Sequence, residues 1–112
     1  AGEPLKDFTL TDLKTGDPVK LSDFNGKWVV IETASSTCSM YTKNIPDMKD
    51  IAEEIDDVEF VVVYVREAHP GERLGQHEDM ADKIAAAKLI APRYGEHRRV
   101  AGADFLLCCN CL

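Results

Sequence analysis

The chain has 112 residues, 45% of them apolar, with 20 Asp plus Glu against 13 Lys plus Arg for a net charge of −7. That length suits one domain rather than two. The acid surplus argues against nucleic acid, whose phosphates need a cationic face. No apolar run approaches the ~20 residues of a membrane span, and the start, Ala1-Gly2-Glu3-Pro4, does not read as a charged-then-apolar leader. A cytoplasmic protein with neither nucleic acid nor membrane as a partner is expected.

Taken in order, residues 8–10 and 18–21 alternate apolar and polar around Lys14-Thr15-Gly16-Asp17 and predict a β-hairpin. Ser22-Asp23-Phe24-Asn25-Gly26-Lys27 is a turn cluster. Residues 28–33, Trp-Val-Val-Ile-Glu-Thr, predict a central parallel strand. A polar loop, Ala34-Ser35-Ser36-Thr37, then leads to Cys38. Ile45, Met48, Ile51, Ala52 and Ile55 recur at helical spacing, with a kink expected at Pro46. Residues 58–65, Val-Glu-Phe-Val-Val-Val-Tyr-Val, carry the strongest strand signal.

Strand, helix and strand of these lengths predict a βαβ unit. Glu67-Ala68-His69-Pro70-Gly71-Glu72 follows its second strand, at the sheet end where open α/β folds place their sites. A second helix is predicted over 76–91, with Met80, Ile84, Ala87 and Ala91 as its buried stripe and Pro92 and Gly95 as its stop. Arg99 to Leu107 offers one last strand.

The chemistry concentrates at Cys38. A thiol reacts as its thiolate, and a helix amino terminus favours that anion through unpaired N–H groups and the helix dipole. The hydroxyls of Ser35, Ser36 and Thr37 are candidate donors to a thiolate or a developing oxyanion. Against this stands a buried, inert cysteine, the common fate of a free thiol. Polar neighbours and a position beyond the strand end favour the reactive reading. His69 is the candidate general acid or base, since imidazole titrates near neutral pH. Glu67 reads equally as a functional or a solvated carboxylate, whereas His77 and His97 read as surface residues.

Phe8-Thr9-Leu10, followed by Leu21-Ser22-Asp23-Phe24-Asn25-Gly26-Lys27-Trp28-Val29-Val30-Ile31, resembles the amino-terminal signature of redoxins and peroxiredoxins. In that superfamily the nucleophilic cysteine follows this strand at the head of a helix, as Cys38 does. Pro46, eight residues on, is similar to the proline of the kinked helix in thioredoxins. Ser35-Ser36-Thr37-Cys38 and Tyr64-Val65-Arg66-Glu67-Ala68-His69-Pro70 more closely resemble iodothyronine deiodinase-like proteins, with cysteine in place of selenocysteine. The similarity runs through His77 to about residue 103.

The resemblance implies a thioredoxin-like α/β fold with an N-terminal β-hairpin and a βαβ core, truncated before the family's C-terminal hairpin. The domain is expected over residues 1–105, with a Cys-rich tail over 106–112. Cys38 is implied as the nucleophile, with His69, Glu67, Thr37 and Ser35 around it. The implied chemistry is reductive dehalogenation or reduction of a peroxide or disulfide, using an external thiol and no cofactor. A homodimer would cover the sheet edge that truncation exposes.

The sequence departs from its relatives in two respects. Cys38-Ser39-Met40-Tyr41 lacks the second thiol of a Cys-x-x-Cys pair, and Ile31 stands where peroxiredoxins have proline. Cys108, Cys109 and Cys111 crowd the end in a pattern unlike a disulfide framework. They read as resolving thiols, as a soft-metal site, or as an end without a role. The alternative to an enzyme is therefore a catalytically incomplete fragment or a metal-thiolate binding module.

Overall fold

A computed structural model describes residues 2–72, 74–96 and 98–102. The predicted hairpin forms as β1 (Thr9–Asp12) and β2 (Pro18–Lys20), antiparallel, with Leu10 opposite Val19. Its turn is closed by the Asp12 carboxylate, which accepts from the Lys14 and Thr15 amides at 2.9 and 3.2 Å. Gly16 takes a φ of +79°, which costs glycine nothing. The turn cluster holds a single 3₁₀ turn over Leu21–Phe24, tied by the Lys20 N–H to Asp23 Oδ2 bond of 2.9 Å.

β3 (Trp28–Ala34) and β4 (Val58–Tyr64) pair in parallel, joined by α1 (Ser39–Glu54), as the βαβ pattern predicts. β5 (Arg99–Gly102) completes one sheet of order β2-β1-β5-β4-β3. It lies parallel to β4 and antiparallel to β1, so the weakest strand signal in the chain joins the hairpin to the βαβ unit. β3, read as central, is instead an edge strand among the described residues. Its apolar run reports the packing of Val29 and Ile31 on one face, not its place in the strand order, and Trp28 and Val30 remain exposed.

Alternation along β4 divides the core. Val62 and Tyr64 point to the helical side and pack with Tyr41, Ile45, Ala86, Ala87 and Ile90. Val61, Val63 and Val65 point to the other face and pack with Leu10, Val19 and Phe24. Each large apolar side chain buried this fully contributes about 1.5–3 kcal/mol. α1 runs through Pro46 as one helix and buries Tyr41 and Ile45. Ile51 and Ile55, predicted for the buried stripe, are exposed instead, because the buried face of α1 is confined to its first half.

The helix predicted over 76–91 is shorter and broken. α2 spans Met80–Lys88 and starts at Asp79, whose Oδ1 accepts the Asp82 N–H at 2.8 Å, a cap worth about 1 kcal/mol. α3 spans Ile90–Tyr94, so Pro92 lies inside it rather than stopping it. A proline ring clashes with the carbonyl four residues back and lacks the N–H to bond it. Here that carbonyl belongs to Lys88, the last residue of α2, and the break falls there. Gly95 does stop α3, in a left-handed conformation at φ +74°. The buried stripe is Lys83, Ala86, Ala87 and Ile90, while the predicted Ala91 is exposed. No helix among the described residues is long and apolar enough to cross a membrane.

Candidate functional site

Parallel pairing places the carboxyl ends of β3, β4 and β5 level, with Ala34 opposite Tyr64 and Tyr64 opposite Gly102. The loop 35–38 and the segment after Tyr64 therefore emerge side by side. Cys38 is the N-cap residue of α1 and partly buried. Its N–H donates to Ser35 O at 3.1 Å and its carbonyl accepts the Thr42 N–H at 3.1 Å. The thiol makes no capping hydrogen bond, so no side-chain cap from Cys38 occupies the first-turn amides at the positive end of the helix.

Glu67 is the centre of the loop's support. Its side chain is fully buried, which decides against a solvated carboxylate. Oε2 accepts the Thr37 N–H at 2.9 Å and the Thr37 hydroxyl at 2.5 Å. Oε1 accepts from Tyr64 OH and from the Ser36 hydroxyl, the latter at 3.3 Å, and Ser36 Oγ also meets Tyr64 OH. Burial, reinforced by the Glu67 carboxylate, pushes the Tyr64 phenol up, so it stays a proton donor. Gln76 holds the Glu67 backbone from both sides: its Oε1 accepts the Glu67 N–H at 3.0 Å and its Nε2 donates to Glu67 O at 3.1 Å.

The remaining candidates join the same network. The Ser35 hydroxyl is buried and accepts the Ala68 N–H at 3.2 Å. His69 donates its backbone N–H to Thr37 Oγ1 at 3.0 Å, and its Nδ1 lies 3.3 Å from Thr37 O. A carbonyl only accepts, so this contact places the proton on Nδ1 and leaves Nε2 as the basic atom. The structure thus brings Ser35, Thr37, Cys38, Glu67 and His69 together. The hydroxyls of Ser36 and Thr37, expected as donors to sulfur, donate instead to Glu67; their role is to hold the loop.

Tyr64, Gln76 and His77 were not singled out for the site by sequence. Tyr64 reads as one more residue of a strand, and Gln76 carries no motif. His77, expected at the surface, is a correction: it is buried against Tyr64, with ring centroids 5.7 Å apart. Its burial comes from tertiary packing, which one-dimensional pattern does not record. Nε2 lies 3.4 Å from Glu67 Oε1, yet among the described residues it has no hydrogen-bond partner. His97 lies outside the described residues. So do Cys108, Cys109 and Cys111, with the resolving-thiol and metal readings that rest on them. No cluster of three or more His, Cys, Asp or Glu able to hold a metal occurs among the described residues.

Burial holds His77 below the usual imidazole range; Glu67 and Asp82 oppose this, while Lys83 and Arg66 add to it. A base held neutral in the fold has its full stability above the unfolded value near 6.5. That stability is lost as pH falls below 6.5, because the unfolded chain then binds the extra proton. The unfolding free energy should therefore fall from pH 7 to pH 5.5, by up to about 1.4 kcal/mol per pH unit from this one group, read as a lower melting temperature. His77→Gln should flatten the profile in that window, and identical slopes for the two proteins would count against this assignment.

A second buried network lies beneath the first turn of α1. Glu96 accepts from Tyr41 OH at 2.8 Å and from Arg98 at 2.7 and 2.9 Å, and Arg98 Nη1 reaches Glu32 on β3 at 2.6 Å. Burial by itself would raise Glu96, but the bonds from Arg98 and Tyr41 outweigh it and hold the carboxyl below its ordinary value.

Comparison with known proteins agrees with this architecture. The AhpC/TSA family matches residues 1–93. A type II iodothyronine deiodinase from Fundulus heteroclitus is 25% identical over 97 residues, covering 73% of this chain and 36% of the deiodinase. The pneumococcal exposed lipoprotein thioredoxin of Streptococcus pneumoniae superposes with a TM-score of 0.57 at 30% identity, covering 87% of this chain and 65% of that one. The thioredoxin domain of a thiol-disulfide oxidoreductase from Bacteroides vulgatus gives 0.60 at 19% identity, covering 92% and 64%. The chain thus spans about a third of its curated relative and somewhat under two thirds of these two structures. The fold is thioredoxin-like, and with the family matched over most of its length the chain belongs to the AhpC/TSA family of redoxins.

Proposed function

We propose that this protein is a thiol-dependent oxidoreductase with Cys38 as its nucleophile and an external thiol as its reductant. The observation that carries the reading is the placement of Cys38 at the N-cap of α1, on a loop that the buried Glu67 holds through Thr37 and Ser36. In disulfide reduction the Cys38 thiolate attacks one sulfur of the substrate. A new S–S bond forms, the old one breaks and the second half leaves as thiolate, which His69 Nε2 is suited to protonate once charged. Two equivalents of external thiol complete the cycle. The first attacks the Cys38 sulfur, releases the retained substrate half as thiol and takes its place. The second attacks the bound reductant, frees Cys38 and leaves as the reductant's own disulfide. Without a neighbouring cysteine at Ser39, Met40 or Tyr41, no second thiol of a Cys-x-x-Cys pair is available for this step.

Membership of the AhpC/TSA family also supports peroxide as a substrate. Cys38 would then take the distal oxygen as a sulfenic acid, releasing water or an alcohol, with the thiol again as reductant. The deiodinase relative supports a third substrate class, an aryl iodide.

The test is incubation of the full chain with a low-molecular-weight disulfide, followed by mass spectrometry of the peptide bearing Cys38. The expected product is a mixed disulfide on Cys38 that added thiol removes and that Cys38→Ser abolishes. An unmodified Cys38 in a chain whose tail cysteines react would show that the thiol is inert and leave the catalytically incomplete fragment or the metal-thiolate binding module as the reading.

A further inference from the structure

We propose that the cavity beside the Cys38 loop binds small disulfides that carry a carboxylate, with Arg93 as the anchoring cation; this rests on Cys38 being the nucleophile. The cavity, about 390 Å³, lies within the size range of small-molecule sites. Three parts of the fold wall it: Ser36 and Thr37 from the redox loop, then His69, Gly71, Glu72 and Leu74, and Arg93 with Tyr94 at the end of α3. Leu74 and Tyr94 pack against the same apolar cluster as Cys38, so the cavity and the thiol share one support.

The charges decide the ligand class. Among the described residues, Arg93 is the cation that lines the cavity, with the His69 imidazole and the Glu72 carboxylate beside it. The Arg93 guanidinium carbon sits 5.3 Å from the Tyr94 ring centroid, which holds the cation against the cavity wall. A guanidinium fork matches a carboxylate in geometry, and Tyr94 with Leu74 supplies an apolar wall for the rest of the molecule. Glu72 is the opposing charge and limits how much negative charge the site accepts.

The test uses the full chain with Cys108, Cys109 and Cys111 replaced by serine, so that Cys38 is the only thiol. Its rates are measured with three disulfides: dianionic dithiobis-nitrobenzoate, neutral dithiodipyridine and dicationic cystamine. In each case Cys38 bonds to one probe sulfur and the other half leaves as thiolate. Arg93→Gln should slow the dianion about fivefold, the size of an exposed ion pair, and leave the neutral probe within about twofold. Glu72→Gln should speed the dianion, and raised salt should shrink both differences. Equal effects on all three probes, or none on any, would overturn the site. Failure of the neutral probe in every background would instead indict the nucleophile. In that event nitrobenzoate titrated into the Cys38→Ser chain still decides. Saturable shifts of the Thr37, His69 and Tyr94 amides that Arg93→Gln abolishes support the site, and no shifts sink it.

Discussion

Replacing Arg98 with methionine should cost about 3–5 kcal/mol of unfolding free energy, the range for breaking a buried ion pair from one side. The Arg98 side chain is 5% exposed and donates to Glu96 through Nε, Nη2 and its backbone N–H, and to Glu32 through Nη1. Without the guanidinium, Glu96 is left as a carboxylate with no exposure at all, held among the described residues by Tyr41 OH and the Arg98 amide. Domains of this size are stable by roughly 5–15 kcal/mol, so the loss is a large fraction of the total. Urea denaturation reads it as a lower midpoint. The double variant Arg98→Met with Glu96→Gln should lose less than the two single changes added together, because the orphaned charge is gone. A loss below about 1 kcal/mol for Arg98→Met would mean that water replaces the guanidinium. Tyr41, three residues past Cys38, is the link from this network to the site: burial first, then Glu96, raises its phenol and keeps it a donor.

Glu67→Gln should act on both stability and chemistry. Both carboxylate oxygens of Glu67 accept, Oε1 from Tyr64 and Ser36 and Oε2 from the amide and hydroxyl of Thr37. A glutamine of the same shape turns one acceptor into an NH₂ that must face two donors. Bonds to a charged group contribute about 1.5–3 kcal/mol, so a loss of roughly 2–5 kcal/mol is expected. The loop that fixes Cys38 moves with its support, and displacement of a reacting group by about 1 Å costs on the order of a hundredfold in rate. Cys38 should therefore react with dithiodipyridine about 10–100 times more slowly in Glu67→Gln. Tyr64→Phe removes one of the four donors and leaves the carboxylate, so its loss should be nearer about 1 kcal/mol. Full reactivity in a folded Glu67→Gln protein would mean that α1 alone positions the thiol.

Much of this protein is legible along the chain. The hairpin, β3, α1 and β4 follow from local period and turn chemistry, since each is a short-range pattern of alternating or 3.6-residue apolar positions. Cys38 is legible for the same reason: strand, polar loop and helix in succession place it at a helix start. The company of Glu67 and His69 came from resemblance, and parallel pairing of β3 with β4 explains it, because equal register brings the two strand ends together.

What tertiary structure alone decides is burial of polar groups. Glu67 reads as a loop residue and His77 as a surface one in sequence, yet both are interior: Tyr64 and Thr37 converge on Glu67 from separate segments, and His77 packs against Tyr64. Arg98 and Glu96 carry no motif in sequence, and only the meeting of α1, β3 and the approach to β5 makes them a buried network. Local pattern records where apolar side chains recur; it cannot record which polar atoms find partners far along the chain. The thiol's position is thus a property of the sequence, whereas the rigidity of the loop that presents it belongs to the fold.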